Sequence, residues 1–213
     1  MRTFSKLSDR LQSDAANIAG VLAALPEIKK QEVESILTSY ISHLPEKDII
    51  KIWSETVSLF KTDAMLYCKE QCTDSETLDI DARGMSDGTL RFLAIITALI
   101  TVKEHSLLIV EEIDNGLHPS RATKLVEMLK ALGANYHIDI LCTTRNPALL
   151  EAFGNAMIPF ISYIHRNKNT GRSNVTFLED FEMLPKLMAA GTIGDLLTKG
   201  SLEQSLERSE NHE

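Results

Sequence analysis

The 213-residue chain is 44% hydrophobic and 24% charged, an ordinary globular composition that folds without a disulfide or metal staple. Its 22 Lys and Arg against 30 Asp and Glu leave a formal net charge of −8, so no overall field draws it to nucleic-acid phosphates or an anionic bilayer. The longest apolar stretch, Phe92 to Val102, falls short of the roughly 20 residues of a bilayer span, and the polar opening Met1 to Gln12 carries no signal-peptide pattern.

Three cysteines, Cys68, Cys72 and Cys142, are an odd count without a secretory leader. They read as reduced thiols of a cytoplasmic protein, and no CxxC or spaced His pair completes a zinc site around them. His43, His105, His137 and His165 share no ligand spacing, and Met183 and Met188 read as helix packing.

In chain order, Asp14 to Leu25 is a helix halted at Pro26, and Glu27 to Leu44 a second one, with apolar Ile28, Val33, Ile36, Leu37, Tyr40 and Ile41. Asp48 to Phe60 fits either a helical face or a strand. Ala64 to Glu70 and Thr77 to Asp81 read as strands, the second alternating Leu78 and Ile80 with Asp79 and Asp81. After Arg83 the elements alternate: a helix from about Thr89, an apolar strand Leu107 to Val110, and a helix from Pro119 to near Gly133. A strand Ile138 to Thr143 and a short helix from Pro147 follow. Unbroken apolar strands between helices predict an α/β fold whose parallel sheet is flanked by helices. Phe160 to His165 and Asn174 to Leu178 flank a turn at Asn169-Thr170-Gly171, and Phe181 to Leu197 is helical around Pro185 and Gly191. The expected organisation is an N-terminal helical region over 1–62, an α/β part over 63–200 and a polar tail over 201–213.

Three constellations carry chemistry. Leu107-Leu108-Ile109-Val110 runs into Glu111-Glu112-Ile113-Asp114, and ligands of open parallel sheets bind beyond the carboxyl ends of strands. Adjacent strand residues point to opposite sides, so one glutamate faces Mg²⁺ and the other a water; two solvated carboxylates are the plain alternative. Gly84-Met85-Ser86-Asp87-Gly88-Thr89 leads into a helix N-terminus, where free N–H groups and a hydroxyl favour an anion, or where Ser86 or Asp87 is a simple N-cap. Thr143-Thr144-Arg145-Asn146-Pro147 follows the next strand and places a cation and hydroxyls on the same rim, unless it is only a strand-to-helix turn.

In this order the three pieces resemble the C-terminal half of an ABC-type ATPase domain of the RecF-like, SMC-related and OLD-like group. Met85-Ser86-Asp87-Gly88-Thr89 is similar to that group's signature motif, and Leu107 to Glu112 to its Walker B. The resemblance implies Glu111 as the Mg²⁺ ligand and Glu112 as the glutamate that polarises the attacking water. Ser86, Asp87, Gly88 and Thr89 would meet ATP in trans, and Asp114, Asn115, Gly116 and His118 would form the D-loop. Thr143 to Pro147 stands where the family has its switch-histidine loop, with Arg145 for the histidine and Asn146 for the serine; arginine contacts a phosphate but does not act as neutral imidazole does. Ser8 to Leu25 and Gly191 to Gly200 resemble the family more loosely.

None of the ten glycines opens a phosphate loop of the form G-x-x-x-x-G-K-[ST]; Gly194 to Ser201 reads GDLLTKGS. The resemblance therefore implies a split ATPase, completed by a partner protein that carries Walker A, with ATP and Mg as ligands. A nuclease or other effector and, through the complex, DNA are its implied targets, in bacterial DNA transactions or anti-phage defence. A degenerate, regulatory ATPase-like scaffold is the non-enzymatic alternative, favoured by Arg145 and Asn146 and opposed by Glu111 and Glu112. Two other enzyme readings fail on pattern. Gly84 to Gly88 fits the G-x-S-x-G elbow of serine hydrolases, with Asp139 and His165 in triad order, but no buried apolar strand precedes it. A Toprim-type metal site from Glu111 needs a later D-x-D, and Asp79-Ile80-Asp81 lies upstream.

Overall fold

A computed structural model describes residues 1–46, 48–57, 59–167 and 170–210, and the chain divides into two units, Met1–Thr143 and Thr144–Glu213. In the first unit β3 (Asp63–Gln71) is the centre of an antiparallel sheet. β2 (Ile49–Thr56) pairs along one edge, and β1 (Ser5–Lys6) and β4 (Thr77–Asp81) pair along the other. α1 (Ile18–Ala24) ends at the extended Leu25, because the residue before a proline is driven out of the helical region, and Pro26 stands at the N-cap position of α2 (Glu27–Ser42). Gly20 of α1 donates its N–H to Ser5 Oγ at 2.8 Å and lies so close to the Lys6 carbonyl that no Cβ fits. α2 buries Val33, Leu37 and Ile41, one per turn. Its polar side chains serve β2: Thr38 Oγ1 accepts the Ile52 N–H at 2.9 Å and Glu34 Oε1 the Ser54 N–H at 2.8 Å. Ladder donors that would otherwise stay open are thus paired.

α3 (Asp87–Thr101) follows, buried on nearly every side through Leu90, Phe92, Leu93, Ile95, Ile96, Leu99 and Ile100. β5 (Leu107–Val110) and β6 (Asp139–Cys142) pair in parallel, Leu107 opposite Asp139 and Val110 opposite Cys142. A 3-10 turn, Pro119–Arg121, and α4 (Ala122–Asn135) connect them.

The second unit holds α5 (Pro147–Phe153), the antiparallel pair β7 (Ser162–Arg166) and β8 (Ser173–Phe177), and α6 (Leu184–Met188), α7 (Ile193–Thr198) and α8 (Ser201–Glu210). Its core gathers Leu178, Phe181, Leu184, Ile193 and Leu202. No helix among the described residues is long and apolar enough to cross a membrane.

Several expectations change. Residues 1–62 contain β1 and β2 as well as the two helices, and within the ambiguous segment Asp48 to Phe60 the strand β2 takes Ile49–Thr56, while Ser58 lies outside the described residues. Among the described residues, parallel pairing is confined to β5 and β6, and the larger sheet is antiparallel. β5 is not covered on both faces: Leu107 is 56% and Ile109 63% exposed, and Leu141 beside them 55%. The predicted tail begins as α8, anchored by Leu202 at 2% exposure. Asn169 of the expected hairpin turn, and residues 211–213 of the expected tail, lie outside the described residues.

The sheet also separates the thiols. Cys68 is fully buried on β3, and burial, with the charges of Glu70, Asp48 and Asp79, pushes its thiol up to about 12; Cys72, just past the strand, is exposed. Alkylation of the native protein at pH 8, read by mass spectrometry, should label Cys72 and spare Cys68 until denaturant is added.

Candidate functional site

The site grows from the two ends that α3 and β5 bring together. Ser86 is the N-cap of α3: its Oγ accepts the Thr89 N–H at 3.1 Å and donates to Thr89 Oγ1 at 2.9 Å. The simple capping role is therefore present, and it fixes the hydroxyl at the positive end of a 15-residue helix. Asp87 extends from the first turn and pairs with Arg2, whose Nη1 also donates to the Arg83 carbonyl at 2.7 Å. Thr89 is buried.

β5 stops at Val110, so Glu111 and Glu112 belong to the following turn. The expectation that strand alternation sends them to opposite sides does not apply, because no pleat continues through them. Both are exposed, and Glu112 has φ +44°, a left-handed conformation that costs a non-glycine residue about 1 kcal/mol or more. Thr143 holds this turn from the end of β6. Its N–H donates to the Val110 carbonyl at 3.1 Å, its Oγ1 accepts the Glu112 N–H at 2.9 Å, and its carbonyl accepts the Ile113 N–H at 3.0 Å. From α3, Arg91 Nη2 donates to the carbonyls of Glu111 and Glu112, both at 2.7 Å. Asn115 closes the turn, its N–H on the Glu112 carbonyl at 2.8 Å and its Nδ2 at 3.5 Å from Glu112 Oε2.

The following loop returns to α3. Gly116, at φ +75°, presents its carbonyl to Gly88, where an added Cβ would stand 2.6 Å from that oxygen. His118 caps the 3-10 turn through Nδ1, which lies 2.8 Å from Ser120 Oγ. Arg121 is 8% exposed beside Gly88 and pairs through Nε with Glu46 at 3.2 Å. Partial burial pushes the Glu46 carboxyl up, but hydrogen bonds from its own backbone and Arg121, with the charges of Arg121 and His118, outweigh it and hold the group below its ordinary value. Cys142, next to Thr143, is held up by burial and by the Asp114 charge.

The first unit thus assembles Ser86, Asp87, Gly88, Thr89, Glu111, Glu112, Asp114, Asn115, Gly116 and His118. Arg145 belongs to the second unit, between Thr144, whose Oγ1 accepts the Asn146 N–H at 3.0 Å, and Asn146, whose Oδ1 caps α5 by accepting the Ala148 N–H at 2.9 Å. The hydrolase triad finds no support, since Asp139 opens β6 at the end of the strand pair away from Glu111, and His165 stacks on Tyr163 within its hairpin. Asp79 and Asp81 pair with Lys69 and Arg83. Sequence reasoning missed Arg91, Arg121 and Glu46. Arg91 had a usable signal, a lone charge leading an apolar helix, which must find an acceptor.

Residues 4–151 match the AAA_21 family model, described as "AAA domain, putative AbiEii toxin, Type IV TA system". The chain belongs to this family. Its fold is that of an ABC/AAA-type ATPase domain, and 28 chains of known structure match it. One, from work on the ATP-driven dimerization and DNA-stimulated activation of SMC ATPases, aligns with a TM-score of 0.52 at 12% identity over 75% of this chain and 89% of its own. The Smc head domain with a coiled coil and joint from Pyrococcus yayanosii aligns at 0.51 and 13%, over 76% of this chain and 30% of its own. The Pyrococcus furiosus Smc head with an extended coiled coil, bound to the C-terminal domain of ScpA, aligns at 0.50 and 10%, over 76% and 39%. The AAA_21 chain thus spans well under half of the two Pyrococcus chains. No curated protein matches it in sequence. Family membership implies nucleotide and magnesium as the general ligands of such a domain.

Two outcomes follow from the loop against α3. Glycine to alanine inside a helix ordinarily stabilises by about 1 kcal/mol, but at Gly88 the new methyl meets a backbone carbonyl that cannot swing away; Gly88→Ala should instead cost about 1–3 kcal/mol, read as a lower denaturation midpoint. The Glu46 carboxyl is depressed, so its stabilising contribution is complete above the unfolded value and is lost as pH falls through the folded one. The stability gap between wild type and Glu46→Gln, followed by denaturant titration from pH 7 downward, should begin to close near the ordinary carboxylate value of 4.5 and vanish in stronger acid.

Proposed function

We propose that this chain is a cytoplasmic subunit of a split or composite ABC-type ATPase, supplying the signature and Walker B elements while a partner protein supplies the phosphate loop. The carrying observation is that Arg91, Thr143 and the Gly88–Gly116 contact join the Ser86 turn and the Glu111–Glu112 turn in one body. Two turns that resemble ATPase motifs are thereby held in fixed relation, and both glutamates are exposed to solvent. The uncovered apolar face of Leu107, Ile109 and Leu141 supports the partner, because parallel strands are normally covered on both sides.

Among the described residues no group of three or more His, Cys, Asp or Glu could hold a metal ion alone. One exposed carboxylate fits magnesium, which takes one or two such ligands and draws the rest from phosphate and water. Glu111 would hold the ion, which would offset phosphate charge when bound. Glu112 would orient and polarise the attacking water as general base. The Ser86 hydroxyl and the first-turn N–H groups of α3 would meet the γ-phosphate of ATP held by the opposing phosphate loop. Arg145 would add positive charge from the switch loop. Closure and opening of the assembly would then drive an effector such as a nuclease, acting on DNA through the complex, in bacterial DNA transactions or anti-phage defence.

The alternative, a degenerate regulatory scaffold, draws on Arg145 in the switch position. Asn146 no longer favours it, since the side chain is the N-cap of α5 and has a structural reason to be there. Affinity purification of the tagged chain at native expression should retain a stoichiometric, phosphate-loop-bearing partner. In that complex Glu112→Gln should lower ATP turnover by about a hundredfold or more and leave assembly intact; turnover untouched by the change would leave the scaffold as the better account.

A further inference from the structure

We infer that Arg91 is a positioning residue that sets the backbone of Glu112 and ties it to the Ser86 turn, an inference about regulation that rests on the ATPase reading above. Arg91 stands one and a half turns into the helix that Ser86 caps, so it moves with the start of that helix. Its Nη2 bridges two successive carbonyls at 2.7 Å each, and those carbonyls flank the residue held at φ +44°. Its Nε is buried with no partner among the described residues, so the two Nη2 bonds are what fix the guanidinium. Charge-assisted bonds of this length are the strong kind, and they act on the far side of the turn from Thr143, which takes the Glu112 and Ile113 N–H groups. The left-handed residue is therefore gripped from α3 through its carbonyl and from β6 through its N–H.

The grip links two functions. A ligand that draws on Ser86 and the first-turn N–H groups pulls on the same rigid helix that carries Arg91, and a displacement there reaches Glu112 through the two carbonyl bonds. The element with two states is the Glu111–Ile113 turn, left-handed when gripped and free to relax to ordinary backbone when released. Glu112 would then be aimed at water only while the start of α3 holds its place.

Amide exchange of the full-length chain tests the grip without nucleotide. Arg91→Gln should accelerate exchange in the 111–117 segment about tenfold, with Arg91→Lys accelerating it by about threefold because the shorter lysine side chain leaves its ammonium short of the point from which Nη2 serves both carbonyls. Exchange in β2 and β3 should stay at the wild-type rate, which separates loss of the grip from general loosening. Replacing Glu112 by glycine, which adopts the left-handed region without penalty, should at least halve the effect of Arg91→Gln on the denaturation midpoint. In the purified complex, Arg91→Gln should lower kcat by about tenfold with KM for ATP within about twofold, as expected of a group used after substrate is bound.

Unchanged exchange at 111–117, or a rise shared equally by β2 and β3, would overturn the positioning role whatever the turnover. A wild-type complex without ATP turnover would overturn the ATPase reading alone, because the exchange result stands on the chain itself.

Discussion

The burial of α3 around most of its circumference is the constraint from which the rest follows. A helix apolar around most of its circumference must be largely enclosed; α2 packs along it on one side and α4 on another, with β5 close by, and the stripe of Arg91, Ala94, Ala98 and Thr101 stays half-exposed. Once enclosed, its first turn has one place to be. Ser86 is then fixed by capping, Gly88 by the need to pass the Gly116 carbonyl, and Arg91 by the search for acceptors at the rim of an apolar interior. The candidate site is thus a consequence of packing before it is a matter of catalysis.

Much of this was legible. β4 and β5 span the residues expected of them, although Leu78 of β4 is exposed rather than inward, and α3 begins where Ser86 and Asp87 signal a cap. β2 was not, and the bulge shows why. Between Ile49 and Lys51 the register with β3 slips by one residue, so Ile49 and Ile52 both face inward although they are three apart. A spacing of three imitates a helix, which is how a strand hid behind a helical period. α8 was masked differently: its polar composition reads as a tail, while Leu202, buried among Leu178, Phe181, Leu184 and Ile193, anchors it. Such an anchor is tertiary, and no local pattern reports it.

At the site the motif letters were readable and the backbone was not. Nothing in Glu-Glu-Ile-Asp announces that the strand ends before the first glutamate or that the second is left-handed, since glycine is the usual sign of such a position. The pleat of β5 ends at Val110 and does not reach the acidic side chains. Thr143 was marked only as a hydroxyl on the rim, while in the structure its main chain and side chain together hold the glutamate turn.

Positive φ alone does not mark function, for Ala15, Lys61, His105 and His137 share it. What distinguishes Glu112 is the number of independent groups that enforce the conformation: Thr143 on its N–H, Arg91 and Asn115 on its carbonyl, and Asn115 again near its carboxylate. Strain of about 1–3 kcal/mol persists only where the surroundings over-determine it. A scaffold that had given up chemistry would gain stability from any substitution, glycine above all, that relaxed this turn. On the ATPase reading proposed above, a glutamate exposed there and gripped from both neighbouring elements is a carboxylate whose backbone is set before any ligand arrives.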